Sequence, residues 1–387
     1  MAVPYLTSRL QEHTTTIFAE MSALAVRTGA INLGQGFPDT DGPPEVREAA
    51  VRAIRDGHNQ YPPGPGVPAL REAVAAHQQR FYGLDYDPDT EVLVTAGATE
   101  AIAAALLSLC EPGDEVVTCE PYYDSYAAGI AMAGARRRVV TLRPPDYGLD
   151  ADALRAVIGP RTRLILLNSP HNPTGAVRSR AELQAVADVA VEHDLLVVTD
   201  EVYEHMTFDG LAHLPLATLP GMRERTVTIS SGGKTFGVTG WKVGWVCAPA
   251  PLITAVRTVK QFLTYVNAAP FQPAIAVGLG LPAEFFTGLA ADLQAKRDRL
   301  CAGLAAAGLA VFRPAGTYFV TADIRPVGYT DSITFCRDLP VRCGVVAVPT
   351  SVFYDDKAAG APIVRFAFCK RDEVLDEAIA RLATLAA

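Results

Sequence analysis

The sequence of 387 residues contains no unbroken run of about 18 apolar residues, the length that a helix needs to cross a bilayer. The longest candidate, 101–110, is interrupted by Ser108 and ends at Glu111-Pro112-Gly113. The first residues, MAVPYLTSRLQEHTTT, lack the basic stretch and the apolar run of about 7–15 residues that form a secretory signal. We therefore expect a protein without membrane contact.

Cysteine is infrequent and shows no regular pattern. Seven cysteines are scattered between positions 110 and 369, and no Cys-x-x-Cys occurs. The odd number and the spacing favour reduced thiols in a cytoplasmic protein over a disulfide framework or a zinc cage. The seven histidines form no His-x-x-x-His or His-Glu-x-x-His pattern, so the sequence predicts no metal site.

Positive charge is also in the minority. The chain has 34 Lys and Arg against 42 Asp and Glu, a net charge of −8, so we expect no nucleic-acid partner. Hydrophobic residues make up 49% of the chain and charged residues 20%, which is near the average for globular proteins. This composition excludes global disorder and provides for a large buried core.

From residue 91 onward, short β-branched runs alternate with helical patterns. The predicted strands are 91–95, 115–118, 138–142, 163–168, 195–199 and 226–230, and the predicted helices are 17–28, 99–109, 122–133, 151–158 and 180–193. Such alternation predicts an α/β fold with a doubly wound, mostly parallel sheet. Several strands are apolar throughout, as expected where helices cover both faces.

The alternation ends near residue 250. Helices are predicted at 252–265 and 289–306, strands at 316–321, 345–348 and 363–368, and a final helix from Glu373 with Asp372 as its cap. This pattern predicts a smaller α+β domain. We expect an N-terminal arm that belongs in part to the small domain at 1–35, the large α/β domain at 36–275 and the C-terminal small domain at 276–387.

Lys234 follows the last predicted strand of the large domain, in the small-residue run Ser230-Ser231-Gly232-Gly233. Its position alone favours a solvent-exposed surface lysine, since most lysines are exposed. In an open α/β sheet, however, ligands bind at the carboxyl ends of the strands, and a lysine there can form a Schiff base with an aldehyde. The neighbouring motifs decide between the two.

Four such motifs supply a second cation, an acid with a phenol, an amide held in a turn, and a glycine-containing helix start. They are Gly240-Trp241-Lys242-Val243-Gly244, Thr199-Asp200-Glu201-Val202-Tyr203, Asn168-Ser169-Pro170-His171-Asn172-Pro173-Thr174-Gly175 and Thr95-Ala96-Gly97-Ala98-Thr99-Glu100. A pyridine aldehyde phosphate needs this set of groups. Its carbonyl reacts with the lysine, its ring nitrogen pairs with the acid, and its phosphate binds to a helix N-terminus and a cation.

On these motifs the sequence resembles the class I/II, fold type I aminotransferases that use pyridoxal 5′-phosphate. The resemblance extends from Leu33-Gly34-Gln35-Gly36 to Arg365. Within the family the sequence is most similar to the kynurenine/methionine/glutamine-type branch, and there to actinobacterial N-succinyldiaminopimelate aminotransferases. The stretches that support this are 59–66, with Tyr61-Pro62-Pro63-Gly64, then Glu120-Pro121-Tyr122-Tyr123-Asp124-Ser125-Tyr126, and 366–372.

The resemblance implies a role for each cofactor-binding residue. Lys234 would hold the cofactor as a Schiff base, and Asp200 would pair with its protonated ring nitrogen. Asn172 and Tyr203 would hydrogen-bond its phenolate oxygen, and Tyr123 would stack on its ring. The phosphate would be bound by the residues Ala98, Thr99, Ser231 and Lys242; many relatives carry arginine in place of the last.

For substrate binding, the resemblance implies that Arg365 clamps the substrate α-carboxylate, which Asn172 and the backbone of Gly36 also approach. Tyr61 would reach the cofactor phosphate of a neighbouring subunit, so a homodimer is expected. The implied reaction moves an amino group from an L-amino acid to a 2-oxo acid, with 2-oxoglutarate as the expected acceptor and Lys234 as general base.

Three alternatives remain open. The first is a methionine-, glutamine- or kynurenine-type enzyme with cysteine-conjugate β-lyase activity. The second is a ligand sensor of a transcription regulator, disfavoured by the short segment before Gly34 and by the net negative charge. The third is a nicotinamide dehydrogenase, disfavoured because no predicted strand is followed by Gly-x-Gly-x-x-Gly.

Overall fold

The computed structural model describes residues 3–14 and 16–385. Its helices are α1 (Ile17–Thr28), α2 (Pro44–Arg55), α3 (Pro68–Tyr82), α4 (Gly97–Leu109), α5 (Asp124–Met132), α6 (Ala151–Val157), α7 (Arg180–Glu192), α8 (Gly232–Thr235), α9 (Ala250–Leu263), α10 (Phe271–Leu279), α11 (Ala283–Ala306), α12 (Ser332–Cys343), α13 (Lys357–Gly360) and α14 (Asp372–Leu382). Its strands are β1 (Ile31–Asn32), β2 (Val92–Thr95), β3 (Glu115–Glu120), β4 (Arg136–Thr141), β5 (Thr162–Asn168), β6 (Leu196–Asp200), β7 (Thr226–Ser231), β8 (Gly244–Cys247), β9 (Ala310–Phe312), β10 (Phe319–Asp323), β11 (Val345–Val346), β12 (Val348–Pro349) and β13 (Ile363–Ala367).

The largest sheet has seven strands in the order β2-β8-β7-β6-β5-β3-β4. All run parallel except β8, which is antiparallel to both β2 and β7. Successive β5 residues point to opposite faces: Leu164 and Leu166 join one apolar cluster with α4, and Ile165 and Leu167 join another with α7. The predicted α/β class and mostly parallel sheet are confirmed.

Two smaller sheets contain the remaining strands. β12, β13, β10 and β9 form an antiparallel sheet in that order, and β1 pairs in parallel with β11. The predicted strand 345–348 is therefore two strands, because the chain changes partner at Ala347: Val345 pairs with Ile31, whereas Val348 pairs with Arg365. The proposed domain boundaries at 35/36 and 275/276 stay predictions.

Several other bounds correct the sequence prediction. The strand expected at 316–321 is β10, shifted to Phe319–Asp323, because Thr317 has a left-handed φ of 67° and donates its N–H to the Met206 carbonyl. The long helix α11 begins at Ala283 instead of Leu289. Asp372 is the first residue of α14 and not its cap, since Arg371 occupies the N-cap and offers no side-chain hydrogen bond there.

The elements that were not predicted are the helices α2, α3, α8, α10, α12 and α13 and the strands β1, β8 and β9. Proline residues made two of these helices hard to predict, because α2 begins at Pro44 and α3 begins at Pro68. Proline is well tolerated in a first helical turn, because the N–H that it lacks would have no partner there. No single helix of the described residues is long and apolar enough to cross a membrane; α10 and α11 qualify only as a pair, which is bent by 90°.

The carboxyl ends of the central strands meet at one edge of the seven-stranded sheet. Asn168 at the end of β5 pairs with Asp200 at the end of β6, which in turn pairs with Ile229 in β7. Ser231, the last residue of β7, pairs with Gly244 of β8. The fold thus brings the motifs of four chain segments to one place.

Candidate active site

A cavity of about 280 Å³ lies where this sheet edge meets β10 and β13. Eleven of the residues predicted from the sequence line it: Gly36, Ala98, Thr99, Tyr123, Asn172, Asp200, Tyr203, Ser231, Lys234, Lys242 and Arg365. Tyr61 does not line it. Its side chain is exposed and its ring packs against the ring of Tyr265 at a centroid distance of 5.4 Å.

Lys234 stands on α8, a single helical turn that follows β7 directly. The turn is packed too tightly for side chains at its first two positions: a Cβ on Gly232 would lie 2.7 Å from Ile275, and one on Gly233 would lie 3.2 Å from the Thr239 Cα. Lys234 Nζ donates to the Tyr318 hydroxyl at 3.1 Å. Burial lowers the pKa of its amine to about 8, so about a tenth of the amine is neutral at pH 7, far more than for an ordinary lysine.

Asp200 is buried at the carboxyl end of β6. Its Oδ2 accepts a hydrogen bond of 2.6 Å from the Tyr126 hydroxyl, and its Oδ1 accepts one of 3.3 Å from the Val202 N–H. Burial raises the pKa of the Asp200 carboxyl, while the bond from Tyr126 opposes that shift. Tyr126 was not predicted as a site residue, although it belongs to the aromatic stretch 122–126, which supports the family resemblance.

Tyr203 lies one turn beyond Asp200 and is buried. Lys234 Nζ lies 5.7 Å from its ring centroid, and the ring meets that of Tyr318 edge to face at 5.2 Å. Burial raises the pKa of Tyr203, so its hydroxyl keeps its proton and can donate a hydrogen bond. Tyr123 also lines the cavity, and burial raises the pKa of its phenol to about 12.

The opposite end of the cavity is an anion cradle. α4 starts at Gly97 with a left-handed φ of 74°, and its first turn leaves the N–H groups of Ala98 and Thr99 without intrahelical acceptors. Lys242 lies beside this turn: a Cβ on Gly97 would come within 3.1 Å of its Nζ. A cation and the positive end of a helix therefore converge on one point, an arrangement suited to phosphate.

Arg365 is buried in β13, on the side of the cavity formed by the antiparallel sheet. Its Nη1 donates to Asn172 Oδ1 and its Nη2 to the Gly34 carbonyl, both at 2.9 Å. Among the described residues its buried Nε has no hydrogen-bond partner. Burial lowers the pKa of the guanidinium to about 10, so it remains charged at neutral pH without a carboxylate among its hydrogen-bond partners.

Gly36 and the ring of Phe319 are in close contact beside Arg365. A Cβ on Gly36 would lie 2.5 Å from the Phe319 ring, and the guanidinium carbon of Arg365 lies 4.0 Å from the centroid of the same ring. The Tyr318 hydroxyl donates to the Gly36 carbonyl at 2.6 Å. Tyr318 and Phe319 were not predicted as site residues, since nothing in the sequence but a predicted strand marks them.

The residues thus assemble an amine, a buried acid, an anion cradle and an incompletely paired arginine around one cavity. A family model described as aminotransferase class I and II matches residues 28–382. The chain belongs to this family. The aminotransferase is 58% identical over 389 residues to the probable N-succinyldiaminopimelate aminotransferase DapC of Mycobacterium tuberculosis, with 98% of each chain covered.

Two further relatives are more distant. The methionine aminotransferase of Escherichia coli is 42% identical to this aminotransferase, again with 98% of each chain covered. The kynurenine–oxoglutarate transaminase of Dictyostelium discoideum is 39% identical, with 94% of this chain and 92% of the relative covered. The solved structure of N-succinyldiaminopimelate aminotransferase from M. tuberculosis superposes with a TM-score of 0.97 over 98% of this chain and 100% of that chain.

The aminotransferase uses pyridoxal 5′-phosphate, the cofactor of its class, and the cavity fits this group. Its phosphate needs a cation beside free N–H groups, which Lys242 and the start of α4 provide. Its aldehyde needs an amine with a neutral fraction, which Lys234 provides. Its basic ring nitrogen needs a buried acid, which Asp200 provides.

Proposed function

We propose that this aminotransferase moves an amino group reversibly between N-succinyl-LL-diaminopimelate and 2-oxoglutarate, a reaction that belongs to lysine biosynthesis. The observation that carries this substrate is the 58% identity, over 98% of both chains, to a relative named for it. Pyridoxal phosphate, when bound, supplies an aldehyde that condenses with amines and a ring that withdraws electrons from the substrate Cα.

The residues around the ring would hold the cofactor and set its charge. Lys234 Nζ would bind the aldehyde carbon, and the Asp200 carboxylate would keep a proton on the ring nitrogen. Asn172 and Tyr203 would hydrogen-bond the phenolic oxygen, and Tyr123 would stack on the ring. The phosphate would take hydrogen bonds from Ala98 and Thr99 N–H, the Ser231 hydroxyl and Lys242 Nζ.

The substrate would be held by its α-carboxylate. The guanidinium of Arg365, which lines the cavity, would form a paired hydrogen bond with that carboxylate. Lys234 Nζ would take the proton from the substrate Cα and return it on the other side of the C–N bond. Water would supply the oxygen with which the donor leaves as a 2-oxo acid, and its amino group would stay with the cofactor. The acceptor would then use the same residues in reverse.

A second cavity offers room for a long donor side chain. It has a volume of about 1470 Å³ and shares Phe18 and Tyr123 with the inner cavity. Its lining includes Arg337, a partly exposed cation that is paired with Glu20 at 2.7 Å. The size of this space favours N-succinyl-LL-diaminopimelate, whose chain extends far beyond its α-carbon, over a compact donor such as glutamine.

A donor screen with 2-oxoglutarate tests the substrate. We expect N-succinyl-LL-diaminopimelate to give a higher kcat/KM than methionine, glutamine or kynurenine. A higher value for methionine would instead favour the activity for which the E. coli relative is named. Pyruvate released from a cysteine conjugate without added oxo acid would identify β-lyase activity.

The proposal includes a cytoplasmic homodimer. All seven cysteines are buried and free, as expected in a reducing compartment. Tyr61, Phe262, Leu263 and Tyr265 are exposed, and Tyr61 contacts Tyr265. Exposed aromatic and aliphatic residues gathered in this way suit an interface between copies, in which Tyr61 would reach the phosphate of the partner.

Mixed dimers test the role of Tyr61. Tyr61→Ala and Lys234→Ala proteins should each be poorly active alone. Refolded or co-expressed together, they should recover about a quarter of wild-type activity, because half the dimers then contain one site with both residues intact. No recovery, with dimers verified by light scattering, would place Tyr61 in its own subunit's site, whereas full activity of Tyr61→Ala alone would place it in neither site.

A further inference from the structure

Three potential metal ligands meet behind the segment that follows β6. His77 belongs to α3, and Glu204 and His205 directly follow Tyr203. One ligand atom from each lies within 4.8 Å of the other two, and the two histidine rings share a hydrogen bond of 2.7 Å between their Nε2 atoms. None of the three lines the cofactor cavity.

The three side chains are of the types that bind transition metals. His77 and Glu204 are buried, and His205 is half-buried. Imidazole nitrogens and carboxylate oxygens are common ligands of Zn²⁺ in proteins. The cluster therefore has the ligand types of a metal site.

An unpartnered atom beside His77 points to the same conclusion. The buried Gln78 Oε1 has no hydrogen-bond partner within residues 3–14 and 16–385, and Gln78 Nε2 lies 3.5 Å from His77 Nδ1. Rotating this amide by 180° would place Oε1 where it can accept a proton from Nδ1. A proton on Nδ1 frees the Nε2 lone pair, and this is the tautomer that a metal-bound histidine adopts when its other nitrogen donates to an acceptor.

We propose that His77, Glu204 and His205 bind a divalent transition metal, with Zn²⁺ as the ion of choice. Nε2 of each histidine and one carboxylate oxygen of Glu204 would be the protein ligands, and water would complete a tetrahedral shell. The metal would replace the hydrogen bond between the two rings, and the ligand atoms must move to metal distances of about 2.0–2.2 Å. His205 is partly exposed, which gives the ion a route of entry, and Ser230 donates a hydrogen bond that anchors the Glu204 carboxylate.

The metal would position the active site without touching the substrate. It would tie α3 to the segment that carries Tyr203, and through Ser230 to the end of β7 next to Ser231. Bound metal should therefore raise the melting temperature, because an ion that binds only the folded chain stabilises it by mass action.

The test uses the full-length holoenzyme prepared without a histidine tag and dialysed against a chelator. Zn²⁺ bound after equilibrium dialysis is measured by mass spectrometry, and Co²⁺ serves as a second probe through its visible absorption bands. We expect about one ion per chain. His77→Gln and His205→Gln should each abolish this uptake, whereas His58→Gln, at an exposed position of the same residue type, should leave it unchanged.

Two results would overturn the site: no stoichiometric uptake by the wild type below about 1 mM metal, or equal uptake by the wild type and both cluster variants. The titration of the wild type alone can overturn the site, so the test does not depend on the folding of the variants. A rise in melting temperature with Zn²⁺ in wild type and His58→Gln, absent from a soluble His205→Gln protein, would support it independently of activity.

Discussion

The two sheets that meet at the cavity contribute to it in different ways. The seven-stranded sheet brings Asn168, Asp200 and Ser231 to one edge through the register of its strands. The antiparallel sheet supplies Arg365 and Tyr318 from a strand face and from the turn before a strand. The first arrangement follows from topology, since carboxyl ends of parallel strands always share an edge; the second depends on packing.

The two sides also differ in how their charges are balanced. Asp200 is held by Tyr126 and a backbone N–H, so its buried charge has donors on the protein. Arg365 donates to an amide and a carbonyl but keeps one buried N–H without a partner among the described residues. A buried group left unsatisfied costs stability unless a ligand completes it. We therefore expect substrate to complete the antiparallel side, whereas the parallel side is largely completed by the chain itself.

The largest effect is expected on the parallel side, at its nucleophile. Lys234→Ala should lose at least about 10⁴-fold in turnover, because both the covalent anchor and the general base are removed. The Schiff-base absorbance should disappear as well. Lys296→Ala, on the surface helix α11, is the matched control. A borohydride-reducible lysine adduct that persists at full stoichiometry in Lys234→Ala would contradict the assignment.

Asp200→Asn should retain the cofactor and lose turnover by about 10³-fold, or roughly 4 kcal/mol of transition-state stabilisation. The amide can still accept the bond from Tyr126, but it has no negative charge with which to hold a proton on the ring nitrogen. Single-turnover absorbance changes measure the loss, and Asp188→Asn on an exposed helix face is the control. Near-normal rates would show that Asp200 does not contact the ring nitrogen.

The lowered pKa of Lys234 gives a pH test of the same side. In cofactor-free protein, trapping of pyridoxal phosphate at this lysine should rise with pH and be half-maximal near 8, because only the neutral amine reacts. Near pH 8 the neutral fraction of the Lys234 amine should be roughly a hundredfold larger than that of an ordinary lysine. Borohydride reduction followed by peptide mass analysis locates the adduct. A midpoint near 10.5 would show that burial does not depress the pKa.

The smallest effect is expected on the antiparallel side. Arg365→Lys should raise KM about 10- to 100-fold for both amino acid and oxo acid, corresponding to about 1.5–3 kcal/mol, since lysine keeps the charge but loses the paired N–H geometry. Cofactor binding should be unchanged. The control Arg299→Lys, at an exposed site, should change neither the KM values nor cofactor binding. A lower melting temperature with unchanged saturation by both substrates would instead assign Arg365 a structural role.

The parallel side of the cavity can be predicted from the sequence better than the antiparallel side, because the first depends on strand topology and the second on packing. Asp200, Lys234 and Asn172 lie in short contiguous motifs at strand ends, so residue type and spacing suffice to select them. Tyr318 contacts Gly36 across 282 residues, and Tyr126 contacts Asp200 across 74. No local pattern marks such pairs, because they arise from tertiary packing.

The histidine cluster shows the same limit for metal sites. A search for His-x-x-x-His spacing assumes that both ligands share one helix, whereas His77 and His205 are separated by 128 residues. The absence of a motif therefore excludes only local sites. The roles of the site residues, the contribution of Tyr61 to a partner and the domain boundaries stay predictions of the sequence.

The hydrogen bond from Arg365 to the Gly34 carbonyl joins positions 331 residues apart, which has a consequence for biosynthesis. Chains emerge from the ribosome N-terminus first, at about 5–20 residues per second. The start of α4, Lys234 and Lys242 have all been synthesised once residue 242 emerges, whereas Arg365 in β13 is synthesised later. A nascent chain would therefore carry the amine of Lys234 before it carries Arg365, the proposed substrate-binding residue, and Gly34 and Gly36 must await their partners until β10 and β13 have been synthesised.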